Sequence, residues 1–225
     1  MPDPEVDLVK VAENVGYSSR QTCGDCHFSG GGGDAVKHAD LSETLNWPNR
    51  NCDIHMGGYN FSCNECHKTR NHKIPGRSSS VAVVEGTRSC TDCHYGNDLL
   101  DAHLNKHCDS IACNTCHSPV YSKCTPTKVS WDWSEAGDKK REVKTGRYGQ
   151  EDYNWKKGSF KWKESAKPEY EWYNGYMKRI LVGDKVDLNA VNNITYPVGS
   201  IKDPRAKITP FKVMQGVQPA DAEYR

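Results

Sequence analysis

Little in this chain is suited to building an apolar interior. Of its 225 residues 36% are hydrophobic, phenylalanine occurs four times, and glycine and proline account for 30 residues between them. That is a poor core for the length, and it argues against a fold held together by side-chain packing alone. No run approaches the ~18 apolar residues of a membrane span. The opening stretch, MPDPEVDLVKVAEN, carries acids and has no apolar stretch of the signal-peptide kind. A net charge of +1 points to neither nucleic acid nor an anionic membrane surface as partner. Two further absences divide the chain: no histidine follows His117 and no cysteine follows Cys124.

What is present is a spacing. Four times a Cys-x-x-Cys pair is followed at once by histidine: Cys23, Cys26, His27; Cys63, Cys66, His67; Cys90, Cys93, His94; and Cys113, Cys116, His117. This is the attachment pattern of c-type haem, in which the two thiols form thioethers to the porphyrin and the histidine binds the iron. Zinc is the competing reading, since four Cys-x-x-Cys pairs can build two tetrathiolate sites. A zinc ribbon has no use for a histidine directly after every second cysteine, because adjacent residues seldom reach one tetrahedral ion together. Histidine is only 9 of 225 residues, so its recurrence there selects haem over zinc, and over structural disulfides equally. The expectation is four covalent c-type haems, rigid apolar plates that make up for the missing core. Covalent haem is attached outside the cytoplasm, so the expected location is periplasmic or extracellular, with a leader removed. The sequons Asn60-Phe61-Ser62 and Asn193-Ile194-Thr195 permit glycosylation but are too common to argue for it.

Four haems take four histidines from the motifs. If every iron carries two imidazoles, four more are needed, and the chain offers five: His38, His55, His72, His103 and His107. Bis-histidine ligation gives low-spin iron with no open position, which suits electron transfer. Met56 is the methionine in this half that could ligate instead. The surplus histidine is a surface residue, a ligand to a haem of a neighbouring subunit, or a sign that one iron is ligated otherwise. The last option draws attention to Lys37, which would have to be a neutral amine to bind iron. Cys52, Cys108 and Cys124 lie outside the motifs; in an oxidising compartment they imply one disulfide and one thiol, with Cys108–Cys124 clamping the fourth motif or Cys52 bonded to either.

Residues 1–124 therefore read as a tetrahaem-binding module and 125–225 as a haem-free aromatic and basic segment that packs on it or on a partner subunit. The first carries 11 Lys/Arg against 15 Asp/Glu and the second 19 against 14. The motif spacing shrinks along the chain, which is not a strict repeat. The fold class expected is a multihaem cytochrome c: mostly irregular coil with short helices around four haems and a few strands in the C-terminal half. Asn97–His107 is the best helix, with His103 and His107 on one face. Gly30–Gly33 is a loop. Residues 158–165 alternate as a half-exposed strand, and 177–188 read as a strand, a Gly183-Asp184 turn and a short return. Eleven aromatic residues lie from Trp131 to Tyr176, to pack this segment on haem faces or to form an interface.

Several stretches together resemble the octahaem tetrathionate reductase family of multihaem cytochromes: CGDCHFSGGGGDAVKHADL (23–41), DIHMGGYNFSCNECHKTRNHKIPGR (53–77), IACNTCHSP (111–119), WDWSEAG (131–137), PEYEWYNG (168–175) and GSIKDPRAKITPFKVMQG (199–216). The resemblance covers most of residues 20–220. It implies a periplasmic, haem-packed, irregular fold, and reduction of tetrathionate, nitrite or hydroxylamine at a lysine-ligated haem, a role that maps onto Lys37. The family has eight haems where this chain has motifs for four. A related set of tetrahaem cytochromes forms extracellular conducting filaments in which a histidine of one subunit ligates a haem of the next. Two readings follow: an electron carrier exchanging with redox proteins or with copies of itself, and a reductase of sulfur or nitrogen compounds.

Overall fold

The computed structural model of the chain describes residues 6–68, 71, 73, 88–94 and 102–221, the side chains of Ala102 and His103 excepted. Helices are short: α1 (Leu8–Glu13), α2 (Arg20–His27), α3 (Met56–Tyr59), α4 (Ala102–His107) and α5 (Cys113–His117). Each is at or below the length at which an isolated helix is stable, so each depends on what it packs against. Helix α4 is the latter part of the helix expected over Asn97–His107; residues 97–101 lie outside the described residues. The 30–33 stretch is a loop as its composition dictates, with Gly31, Gly32 and Gly33 all at positive φ. No helix among the described residues is long and apolar enough to cross a membrane.

Among the described residues the strands all lie after Pro126. β1 (Thr127–Asp132), β2 (Tyr153–Asn154), β3 (Gly158–Lys163) and β8 (Gln215–Val217) form one sheet in the order β2-β3-β1-β8. β1 is antiparallel to β3, with a bulge between Lys128 and Ser130, and parallel to β8. β4 (Glu169–Tyr173) pairs antiparallel with β7 (Lys207–Phe211), and β5 (Tyr176–Arg179) with β6 (Thr195–Val198). The 158–165 alternation thus forms β3. The 177–188 hairpin is only half right: Gly183 makes its turn at φ 95, but no strand follows at once. The Asn192 side chain instead bonds both backbone groups of Asp187, accepting from Asp187 N at Oδ1 at 2.9 Å and donating from Nδ2 to Asp187 O at 2.7 Å. Such local bonds compete with a ladder, so the return is delayed to β6.

The interior is as sparse as the composition requires. Among the described residues the buried apolar side chains are Phe28, Ala35, Val36, Ala39, Tyr153, Ala166, Tyr173 and Ala206. The chain exposes 16677 Å², where a compact protein of this mass would expose about 10,000 Å². Much of its surface is therefore available to something other than its own side chains. Of the eleven aromatics, Tyr153 and Tyr173 are buried, whereas Trp133, Tyr148, Trp155, Tyr170 and Tyr176 remain exposed. Cations cover several ring faces: Lys128 lies 3.5 Å from the Phe160 centroid and Arg141 4.3 Å from that of Tyr153.

The two halves are bonded to one another. Ile208 of β7 bridges to Ile111, and its carbonyl accepts from Ala112 N at 3.0 Å and Thr115 Oγ1 at 2.8 Å. Tyr121 bridges to Ala166 and donates its hydroxyl to Pro210 O at 2.8 Å. Across the first half, Cys52 and Cys124 form a disulfide, with Cα atoms 5.7 Å apart and a sequence separation of 72. That Cα–Cα distance is the ordinary one for a bridge. Cys124 is thus taken by Cys52, so the Cys108–Cys124 clamp does not form and Cys108 keeps its thiol. Replacing Cys52 and Cys124 together by serine releases a long loop in the unfolded chain and is expected to lower stability by roughly 4 kcal/mol, or about 10 °C in thermal midpoint; scanning calorimetry of the double variant checks this.

Candidate haem-binding site

Each motif is a single helical turn, and that is what the spacing needs. One turn places positions i and i+3 on one side of the backbone and starts i+4 beside them. In α2 the turn is started by a capping box, with Ser19 Oγ accepting from Thr22 N at 3.1 Å and Thr22 Oγ1 from Ser19 N at 3.4 Å. The second and third motifs are 3₁₀ turns over Cys63–Glu65 and Cys90–Asp92, closed by His67 N to Cys63 O at 2.9 Å and His94 N to Cys90 O at 2.8 Å. Ser89 and Asp92 cap the third. The fourth is α5, held by the Ala112 and Thr115 bonds to Ile208.

The four turns are strung together in chain order. The Cys63 and Cys23 thiols lie close enough to act on one another, joining motif two to motif one. Arg88 N donates to Cys66 O at 3.0 Å, and Arg88 Nη1 to Cys93 Sγ at 3.6 Å, joining two to three. The Cys113 and Cys90 thiols likewise lie close enough to act on one another, joining three to four. Burial and the neighbouring Cys23 push the Cys63 thiol up to about 11; burial and Cys90 likewise raise Cys113, and burial raises Cys66. None of the eight motif thiols is buried and none is in a disulfide, so all are open to a ligand.

The imidazoles cluster as well. His27 lies close enough to His38 and His67 to act on both, and burial lowers the pKa of both, favouring the neutral form that binds metal. His55, from the turn before α3, faces His94 of the third motif with ring centroids 6.1 Å apart and planes at 67°. Two imidazoles bonded through nitrogen at ~2.0 Å to opposite sides of one metal would have ring centres about 6 Å apart. Among the described residues no three His, Cys, Asp or Glu side chains converge on one point. Paired, unburied thiols beside imidazoles are the donor set that a porphyrin needs, since it brings four nitrogens of its own. The residues fit c-type haem.

The other nominated ligands stand as follows. His107 is exposed in the last turn of α4 and His117 is exposed at the end of α5. His72 lies outside the described residues, and of His103 only the backbone, within α4, is described. Lys37 is exposed and its Cβ sits against Gly31, where an added Cβ would come within 2.9 Å. The sequence reading overlooked Asp40, Thr127 and Lys212. Asp40 Oδ1 accepts from Ser122 N at 2.7 Å and Lys123 N at 3.2 Å, and Thr127 Oγ1 donates to Ala35 O at 2.7 Å. They hold the His38 turn from residues more than 80 positions away, and no local signal marks them.

A model of the family described as "Cytochrome c bacterial" matches residues 128–225. The crystal structure of an octahaem cytochrome c from Shewanella oneidensis is 42% identical over 98% of this chain, with a TM-score of 0.84. This chain has the fold of the multihaem c-type cytochromes. It spans 50% of the length of that octahaem chain. Comparison with the curated proteins gives no match. The family match covers the half without a single haem motif, so the haem-free segment is itself a mark of the cytochrome and not an appendage.

Gly24, inside the first motif, is required by packing. A Cβ there would come within 2.1 Å of the buried Phe28 ring. Helix propensity alone favours alanine by about 1 kcal/mol, but displacing Phe28 costs about 1–3 kcal/mol. Gly24→Ala is therefore expected to lower the thermal midpoint of the holoprotein, and a rise would show that Phe28 repacks freely.

Proposed function

We propose that this chain is an exported electron carrier binding four c-type haems, with Cys23/Cys26, Cys63/Cys66, Cys90/Cys93 and Cys113/Cys116 as the attachment pairs. His27, His67, His94 and His117 would each hold an iron, and His38, His55 and two of His72, His103 and His107 would complete the ligand sets. The observation that carries the reading is the unbroken succession of motif contacts, Cys23 to Cys63, Cys66 through Arg88 to Cys93, and Cys90 to Cys113. Haems at such sites supply one-electron centres in close sequence. The protein's part is to hold them there, to saturate each iron with imidazole so that small molecules do not bind, and to seal their faces with side chains. Periplasmic or extracellular location follows from the site of covalent haem attachment. Joining of copies into a filament, with the fifth histidine ligating a neighbour's haem, is one form of this carrier.

A second reading is supported by the family resemblance and by the glycine loop that packs on Lys37: Lys37 ligates one iron in place of histidine, and that site reduces sulfur or nitrogen compounds. Cyanide and nitrite binding separates the two, because six-coordinate bis-imidazole iron takes up neither readily.

Four haems per chain are expected by pyridine haemochrome and intact mass. His55→Met is expected to convert one of the four low-spin signals in the EPR spectrum and to leave the other three. A spectrum unchanged by that substitution would remove His55 from the ligand set. Turnover of tetrathionate, nitrite or hydroxylamine that disappears in Lys37→Ala would replace the carrier with the reductase. Negative-stain microscopy of native material reads the filament directly.

A further inference from the structure

Residues 35–38 carry a nominated iron ligand but belong to no helix or strand. Ala35 is fully buried at φ 55, a conformation that disfavours any residue with a Cβ. Left to itself this turn would relax. Two side chains from the haem-free half prevent that. Thr127, wholly buried at the start of β1, donates its hydroxyl to Ala35 O at 2.7 Å. Lys212, directly after β7, donates to Val36 O at 2.7 Å and to Thr127 Oγ1 at 2.5 Å. The three bonds close on one another, so the turn, β1 and the end of β7 meet at a single ammonium.

The choice of lysine is informative. Burial and the neighbouring Lys128 hold Lys212 down at about 8, and no carboxylate pairs with it among the described residues. Lys128 itself faces the Phe160 and Trp162 rings. A half-buried cation without a counter-ion is a costly way to make two hydrogen bonds that a neutral donor can also make. What the neutral donor cannot do is place a positive charge beside His38, on which Lys212 acts.

We infer that Lys212 is a positioning residue that holds the Ala35–His38 turn against the haem it ligates and, through its charge, raises the reduction potential of that haem. This rests on the reading of His38 as an iron ligand. The direction follows from electrostatics: reduction adds an electron at the iron, and a nearby positive charge stabilises the reduced state. The haem-free half then sets the energy profile of the haem chain as well as its shape.

The test is spectroelectrochemical titration of the holoprotein with EPR of the oxidised state. In Lys212→Met one midpoint is expected to fall while the others stay, and Lys212→Arg is expected to restore most of the shift. Thr127→Val keeps the charge but loses the hydroxyl, so it should alter the EPR g-values of the same haem with a smaller change in its potential. His38→Met identifies that haem independently. Full haem content with wild-type midpoints in Lys212→Met, while His38→Met does change a haem, overturns the inference and leaves the carrier reading intact. No spectral change in His38→Met overturns the ligand assignment and the inference with it. If Lys212→Met does not accumulate, Lys212→Gln carries the test, since it retains an N–H donor without charge: a lowered midpoint with an unchanged EPR spectrum supports the electrostatic part, and an unchanged midpoint defeats it.

Discussion

The stretch from Tyr121 to Thr127 is the constraint on which the rest of the structure depends. Tyr121 pairs with Ala166, Ser122 N binds the Asp40 carboxylate, Cys124 is bonded to Cys52, and the Thr127 hydroxyl binds Ala35 O. Ser122, Thr125 and Thr127 are buried, and Ser122 takes a positive φ of 61 to make the turn. This strap joins the two halves and reaches two of the turns that carry nominated distal histidines, those of His38 and His55. His55 lies three residues beyond Cys52, and Met56 N is bonded to Asp53 Oδ1 at 2.7 Å, so the disulfide fixes the start of that turn directly. Without the strap, short segments lacking regular structure would have to present imidazoles accurately against their own conformational entropy.

The C-terminal half acts as a scaffold applied from outside. A chain whose buried apolar side chains are so few cannot set the arrangement of its motifs by core packing. It uses hydrogen bonds from strand ends instead, at Ile208, Pro210 and Lys212, together with cations over aromatic faces. The same economy explains why a family model for cytochrome c matches residues that carry no haem motif: that half is what holds the motif-bearing half in shape.

Much of the site was legible in the primary structure because haem attachment is a local requirement. Cys-x-x-Cys-His must lie on one turn, and all four motifs do so in one helical form or another. The glycine loop and the β3 alternation were equally legible, since each depends on φ preference or residue period alone. The strand expected within 177–188 lost its return to Asp187–Asn192 bonding, a competition between local side chains that period reading does not weigh. The disulfide partner was open in the sequence because three cysteines offer three pairings, and only the approach of Cys52 to Cys124 selects one.

By itself the sequence determined the attachment chemistry, the short helical turns and the division into a motif-bearing and a motif-free half, because each follows from residue type and spacing within a few positions. Only the tertiary structure decided the order in which motifs touch, the pairing of His55 with His94, and the hold of Asp40, Thr127 and Lys212 on the His38 turn. Those are contacts between residues far apart in the chain. Their bonds are satisfied by whichever backbone group the fold brings near, and no pattern in the neighbouring residues records which one that is.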